Sequence, residues 1–394
     1  MLVVARLIGT TQFHQLAYAF LALPLASLVL GLLDSRSLSL SRTLPPGVRV
    51  TAGSPTRVDL LLNNGWRFCT SKVSVMDRLP EPRDFEVPPL RGSERTKIGV
   101  PLTFARRGVY ELGPAEVRVV DPFGLLRFVR RFEERTEVVV YPRIYALPGF
   151  PLRDGNLEDG ARGSVGRRGD EFAGLREYRR GDDRRHIHWK SLARTGELFV
   201  KEFALHAPHR YTVALDLRRE GIRTQENEVE DAVSCAASVL THLWRGHLPF
   251  RLLSTDKDSV AAEIGSDEAS YWRAMRTLAT VRADGGRQLG EVVLQEKGRL
   301  GEGVVLISRT REEGLPACVH KLRGAGLSVI AVALATHTYR TPPGTGGASQ
   351  SRESEFVQAV DRLEKAGATV LILSHPVGVV GLSGAGSMRE RGAV

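Results

Sequence analysis

Cysteine is scarce in this chain. Cys69, Cys235 and Cys318 are odd in number and far apart in 394 residues. That pattern argues against a disulfide framework and for reduced thiols, with the soluble part in the cytosol. Short catalytic signatures are also missing. There is no Gly-x-Ser-x-Gly elbow, no Walker phosphate loop and no His-Glu-x-x-His, so no nucleophile–base pair stands in a recognisable context. Gly163, Gly166 and Gly169 are not set between a strand and a helix, as a dinucleotide site requires. Zinc-finger spacing and aromatic-basic RNA motifs are absent too, which leaves nucleic acid a minor hypothesis despite a net charge of +10.

Long apolar runs are confined to one place. Leu16 to Leu33 carries no charge over 18 residues, just long enough to cross a bilayer. Pro24 and Gly31 are tolerated in such helices. A cleavable signal peptide and a buried helix are the rivals. No clean small-x-small site follows, and Asp34-Ser35-Arg36 reads as a helix end at the interface. Leu2 to Ile8 is too short for a further span and is broken by Arg6. Arg36, Arg42 and Arg49 outnumber Arg6, which favours a cytoplasmic C-terminal part.

The remaining composition is ordinary for globular protein, with 42% hydrophobic and 25% charged residues, and the length allows two or three domains. From Ser37 the pattern turns to short alternating runs. Val58, Leu60 and Leu62 alternate with Arg57, Asp59 and Leu61. Asn63-Asn64-Gly65 reads as a hairpin turn, and Asp121-Pro122-Phe123-Gly124 as a turn with an aromatic plug. An antiparallel β-sandwich over 37–145 is expected. Residues 146–168, rich in Gly, Pro, Arg and Asp, read as an exposed linker. After Pro208 strands alternate with helices, including the continuous apolar run Gly303 to Ser308, as in a doubly wound α/β domain over 207–377. Thr341 to Ser351 and the 378–394 tail are expected to be disordered.

Between these lies 169–206, read as strand, helix and strand. The stretch 162–201 holds eleven Arg or Lys against six Asp or Glu, half of the chain's net excess. Asp182 or Asp183 is expected to cap a helix from Arg184 to Arg194, closed by Gly196. Trp189 is expected to bury its ring. Three readings stay open: a capped helix with an Arg/Asp/Glu network tying two domains together, an anion site built from the arginines, and a catalytic site. His186 and His188 are two apart, so on a helix they point away from each other and cannot share a metal.

Gly169, Glu171-Phe172, Leu175-Arg176-Glu177-Tyr178, Gly181-Asp182-Asp183, Arg185, Ile187, Trp189-Lys190 and Ala193-Arg194 stand at the spacing of a known signature. The stretch resembles the bacterial "domain of unknown function 58" family. Arg107 to Pro114, Asp121 to Leu125 and Val140-Tyr141-Pro142 match the family's preceding segments, so the resemblance covers most of the chain. It implies a membrane anchor over 1–36 and a von Willebrand factor A-like final domain. It also implies a MoxR-type AAA+ ATPase as partner, with a transglutaminase-like membrane protein nearby. The interaction residues it points to are Arg176, Tyr178, Gly181, Asp182, Asp183, Arg185, Trp189, Lys190 and Arg194.

A von Willebrand factor A domain holds Mg²⁺ through Asp-x-Ser-x-Ser and a later Asp. Here the first strand ends Asp216-Leu217-Arg218-Arg219-Glu220, so Arg218 and Glu220 replace the serines. Arg309 stands where the later Asp belongs. Mg²⁺ demands oxygen ligands, so no metal or cofactor is expected, and Asp216 should pair with Arg218 or Arg309. The function expected is a membrane-anchored, non-enzymatic scaffold with its soluble domains in the cytoplasm. The alternatives are a lipid or nucleic-acid binder through the basic stretch and a hydrolase of unknown substrate.

Overall fold

The computed structural model describes residues 11–44, 47–78, 83–152, 172–178, 187–203, 210–219, 226–257, 265–309, 312–340, 348–375 and 378–384. They divide into two compact units, Met1–Arg143 with Met275–Val281, and Ile144–Ala274 with Arg282–Val394.

The first unit opens with helix α1 (Thr11–Ser37), whose segment Gln15–Ser37 has a mean hydropathy of 2.2 and the length to cross a membrane. It runs directly into β1 (Leu38–Thr43). The last turn of a helix leaves carbonyls without intrahelical donors. Arg130 answers that need here: its Nη1 donates to the carbonyls of Ser35, Arg36 and Leu38 at 3.1, 2.8 and 2.8 Å.

The strands that follow are β2 (Val50–Thr51), β3 (Pro55–Asn64), β4 (Val73–Asp77), β5 (Arg83–Val87), β6 (Arg95–Thr103), β7 (Gly108–Leu112), β8 (Ala115–Val120), β9 (Arg127–Phe132) and β10 (Thr136–Tyr141). They form three small sheets, β1-β3-β6, β2-β10-β7 and β5-β4-β8-β9, antiparallel except where β2 meets β10. Alternation puts Val58, Leu60 and Leu62 of β3, Val73 and Val75 of β4, and Val117 and Val119 of β8 in one shared core.

Two expectations are corrected here. Asn63-Asn64-Gly65 does not make a hairpin, because β3 pairs with β1 and β6 rather than β4. The Asn64 side chain is buried instead: its amide donates to the carbonyls of Phe68 and Arg91 at 2.8 and 3.0 Å. Arg42, counted above as a membrane-flanking charge, is no such thing. It is buried and forks onto Asp77, Nε to Oδ2 at 2.9 Å and Nη2 to Oδ1 at 2.6 Å.

In the second unit β11 (Phe172–Glu177) pairs antiparallel with β12 (Phe199–Phe203) around α2 (Trp189–Thr195). Then come β13 (Tyr211–Leu215), α3 (Glu226–Arg245), β14 (Phe250–Ser254), α4 (Glu268–Thr280, which belongs to the first unit from Met275 on), α5 (Leu289–Gln295) and β15 (Gly303–Arg309). They are followed by α6 (Leu315–Gly324), β16 (Ser328–Leu334), α7 (Thr336–Arg340), α8 (Ala348–Lys365), β17 (Thr369–Ser374) and β18 (Gly378–Gly384). The six-stranded sheet runs β14-β13-β15-β16-β17-β18, parallel in its first five strands and antiparallel at β18.

Val229, Val233, Ala236, Leu240 and Leu243 recur at helical spacing along α3 and are buried. Gly378–Gly384, expected as tail, is instead a strand on the sheet edge. Its Gly and Ser residues hide the period-two signal, and pairing with β17 supplies the order. Helix α8 begins at Ala348, inside the stretch expected to be loop. Most of the 146–168 linker and Gly169 and Glu171 of the signature lie outside the described residues.

Candidate functional site

The signature element is a short helix held between two strands. The Tyr178 N–H donates to the carbonyl of Leu198 at 2.8 Å, and the His188 N–H to that of Phe199 at 2.8 Å. Ile187 bridges Val200, and both side chains are buried. The backbone is thus pinned to β12 up to His188, and α2 starts only at Trp189.

This start corrects the expected helix from Arg184. The N-cap residue is His188, whose Nδ1 lies 2.7 Å from the Ser191 Oγ. Asp182 and Asp183 stand five or more residues before it, too far along the chain to cap α2. The expected end is found: Gly196 takes the left-handed conformation, φ 75°, and its N–H donates to Leu192 at 3.0 Å.

The seven residues of α2 turn Ser191 and Leu192 inward and Trp189, Lys190, Ala193 and Arg194 outward. Trp189 is 62% exposed, not buried. The reason is its place at the first position of a helix whose inward anchor is the preceding Ile187. Tyr178 is half-buried, and Arg176 lies opposite Val200 in the ladder, with its side chain outside the described residues. Gly181, Asp182, Asp183, Arg185 and His186 also lie outside them.

A second constellation sits at the carboxyl ends of β13 and β15, where the strand order reverses. Ligands of open α/β sheets bind in that crevice. Asp216 is buried. Its Oδ1 accepts the Arg218 backbone N–H at 3.1 Å and Nε at 3.0 Å, while Oδ2 accepts Nη2 at 2.9 Å. The same Nη2 reaches Glu312 Oε2 at 3.5 Å. Thr255 places its hydroxyl 3.4 Å from Asp216 Oδ1 and accepts the Leu217 N–H at 2.7 Å.

Of the two pairings expected for Asp216, the one with Arg218 is found. Glu220 and the Arg309 side chain lie outside the described residues. Glu312 was not foreseen: it follows Arg218 by more than ninety residues and reads as a solvated charge. In the fold it is buried and accepts the Leu289 N–H at 3.0 Å and the Gly290 N–H at 2.7 Å. A guanidinium thus lies between two buried carboxylates, in the position a cation would take. Wild-type melting is expected to be unchanged by Mg²⁺ or Mn²⁺.

Burial pushes the Glu312 carboxyl above the ordinary glutamate range. The Gly290 N–H and the Arg218 charge pull it back, and Asp216 adds to the rise. The folded chain therefore holds this proton more tightly than the unfolded chain. That contribution to stability is whole below the ordinary value of about 4.3 and is lost as pH rises through the folded pKa. Glu312→Gln is expected to flatten the fall in stability above that pH. The check is the slope of the urea midpoint against pH, not its absolute value.

Beside Glu312 opens a cavity of about 730 Å³, within the usual range for small-molecule sites. Thr336 and His337 line one side, and Arg352, Glu355 and Phe356 of α8 the other. Burial lowers the His337 pKa, against the nearby Glu353 charge, so the imidazole is neutral near pH 7. Its Nδ1 is buried and has no hydrogen-bond partner among the described residues. Among the described residues no group of three or more His, Cys, Asp or Glu side chains is placed to hold a metal.

Residues 174–285 match the family described as "Protein of unknown function DUF58". The chain is 25% identical over 318 residues to the "Uncharacterized protein YeaD" of Bacillus subtilis (strain 168), across 76% of this chain and 77% of that protein. Among solved structures, the CARDB domain of PF1109 from Pyrococcus furiosus aligns with 26% of this chain and 94% of its own, at 16% identity and a TM-score of 0.21. A human ASH/PapD-like domain aligns with 26% of this chain and 86% of its own, at 13% identity and a TM-score of 0.18. The family match runs from Gly174 in β11 to Gly285, whose backbone bridges Arg218. It spans both the signature helix and the Asp216–Arg218 pair, so these two features lie in the part of the chain that is similar to the DUF58 family of proteins of unknown function.

Proposed function

We propose that this chain is a membrane-anchored, non-enzymatic adaptor. Helix α1 holds it in the bilayer, and the α/β unit, taken as von Willebrand factor A-like, faces the cytoplasm and meets a soluble partner on the outer face of α2. The observation that carries the reading is the exposure of Trp189, flanked by the exposed cations Lys190 and Arg194. A large aromatic left in water beside positive charges is the composition of an interface anchor, where Trp and Arg dominate binding energy. The family resemblance supplies the partner class, a MoxR-type AAA+ ATPase, with a transglutaminase-like membrane protein as a further candidate.

The reading is tested on the full chain in lipid nanodiscs, with a MoxR-type ATPase from the same organism. Trp189→Ala is expected to change stability by no more than about 0.5 kcal/mol, as surface substitutions do. Capture of the ATPase should fall by roughly thirtyfold, the loss of about 2 kcal/mol typical of an interface anchor. A wild-type chain that does not capture the ATPase, or a Trp189→Ala chain that captures it as wild type does, overturns the proposal.

A further inference from the structure

The loop between β8 and β9 is a rigid apolar tip. The Asp121 carboxylate closes it from inside, Oδ2 accepting the Phe123 N–H at 2.9 Å and Oδ1 the Leu126 N–H at 2.5 Å. The ring expected to plug the turn points outward instead. Phe123 is 49% exposed and Leu125 51%, with Leu126 also exposed. A loop that is tightly ordered yet presents three large apolar side chains to solvent lacks a partner within its own unit.

Helix α1 packs beside this tip. Its buried positions in the second half, Ser27, Gly31, Asp34 and Ser35, recur at helical spacing on one face. Any Cβ on Gly31 would collide with the Phe128 ring, so only glycine allows this approach. The Ser27 hydroxyl lies beside the Asp121 carboxylate, though outside hydrogen-bond geometry. Nearer the helix end, Asp34 Oδ2 accepts the Ser71 N–H and hydroxyl at 3.1 and 2.8 Å.

These contacts fix the depth of the tip. Helix α1 is described from Thr11, but its apolar span begins at Gln15, and the part of that span beyond the tip, Gln15 to Ala26, measures only about 18 Å at 1.5 Å per residue, well short of the roughly 30 Å hydrocarbon layer. A spanning α1 must therefore sink as far as Leu28, Val29, Leu32 and Leu33, which are all exposed on the helix side away from the β unit. The tip packs at the level of Ser27 and Gly31 and descends with them. One turn nearer the membrane surface, at the level of Asp34 and Ser37, the loop after β3 carries half-buried Trp66 and exposed Arg67 and Phe68, side chains of the kind found at headgroup depth.

We propose that the β8–β9 tip is a second membrane-inserting element, with Phe123, Leu125 and Leu126 in the acyl region beside α1, so that the β unit sits in the bilayer surface rather than on a free stalk. The occupant of this surface is lipid. The inference rests on the reading of α1 as a membrane anchor.

The test uses the full chain in nanodiscs of phosphatidylcholine and phosphatidylglycerol, in a Cys69→Ser background. Nitroxide labels are placed at Phe123→Cys, Leu125→Cys, Leu28→Cys and Val109→Cys, the last an exposed site on β7. Collision rates are read with oxygen, which concentrates in lipid, and with a water-soluble nickel chelate. The tip labels are expected to match Leu28, with an oxygen-to-nickel ratio several-fold above that of Val109. Tip labels open to nickel while Leu28 stays in lipid overturn the proposal and leave the anchor standing. Tip labels shielded from both reagents reveal a protein contact, such as a second copy of the chain, and also overturn it. Nickel access at Leu28 itself removes the anchor and the proposal together.

Discussion

Replacing Arg42 with alanine is expected to lower the stability of the β unit by about 3–5 kcal/mol, because it leaves a buried carboxylate without its cation. Asp77 is fully buried and receives two guanidinium bonds at 2.9 and 2.6 Å. Arg42 Nη1 also donates to the carbonyls of Leu112 and Glu134 at 3.3 and 2.8 Å. The pair thus joins β1, β4 and the ends of β7 and of the β9–β10 turn. For that reason an apolar exchange of both residues should not be neutral, as it often is for simple buried pairs: two carbonyls would lose their donor. Hydrogen exchange on the full chain resolves the two units separately. Loss of protection in β1, β4 and β7, with the six-stranded sheet unchanged, is the expected result.

Arg218→Ala should cost the α/β unit a similar amount, about 3–5 kcal/mol at neutral pH. It strands Asp216 and Glu312, both buried and both served by the same guanidinium. Two nearby carboxylates without a cation cannot both stay ionised cheaply, so one takes up a proton. The variant is therefore expected to recover part of its loss as pH falls toward the ordinary carboxylate range. Wild type gains much less there, since Arg218 still offsets both charges. Melting curves at several pH values check this. An Arg218→Ala chain as stable as wild type at pH 7 would contradict the account of the sheet edge.

Much of the α/β unit was legible because buried parallel strands write themselves as continuous apolar runs. The run Gly303 to Ser308 became β15, which extends one residue further, to Arg309. Where the run dissolves into glycine and serine, at Gly378–Gly384, the strand was invisible. The pairing of Asp216 with Arg218 was legible because it is local and fills the loop after a strand. Glu312 was not, because burial rather than spacing makes it part of the site. Trp189 illustrates the opposite error. An aromatic in a dense motif reads as core, yet the buried anchor is Ile187, two residues earlier, and the helix start turns the indole outward. Arg42 and Phe123 failed in the same way, since sequence shows side-chain type but not the face it occupies.

The anchor reading also changes how a truncation should be interpreted. Removing the first 36 residues takes away Asp34, which binds Ser71, and Gly31, which covers Phe128. A truncated chain that aggregates would reflect the uncovered β8–β9 surface and not a failure of the α/β unit to fold.

The central claim is that the outer face of α2 is where the partner docks. Hydrogen exchange of the full chain in nanodiscs, with and without the MoxR-type ATPase, tests it most directly. The account predicts new protection over Trp189 to Thr195 and none around His337 and Arg352. Protection centred on that cavity, with α2 exchanging as in the free chain, would contradict it.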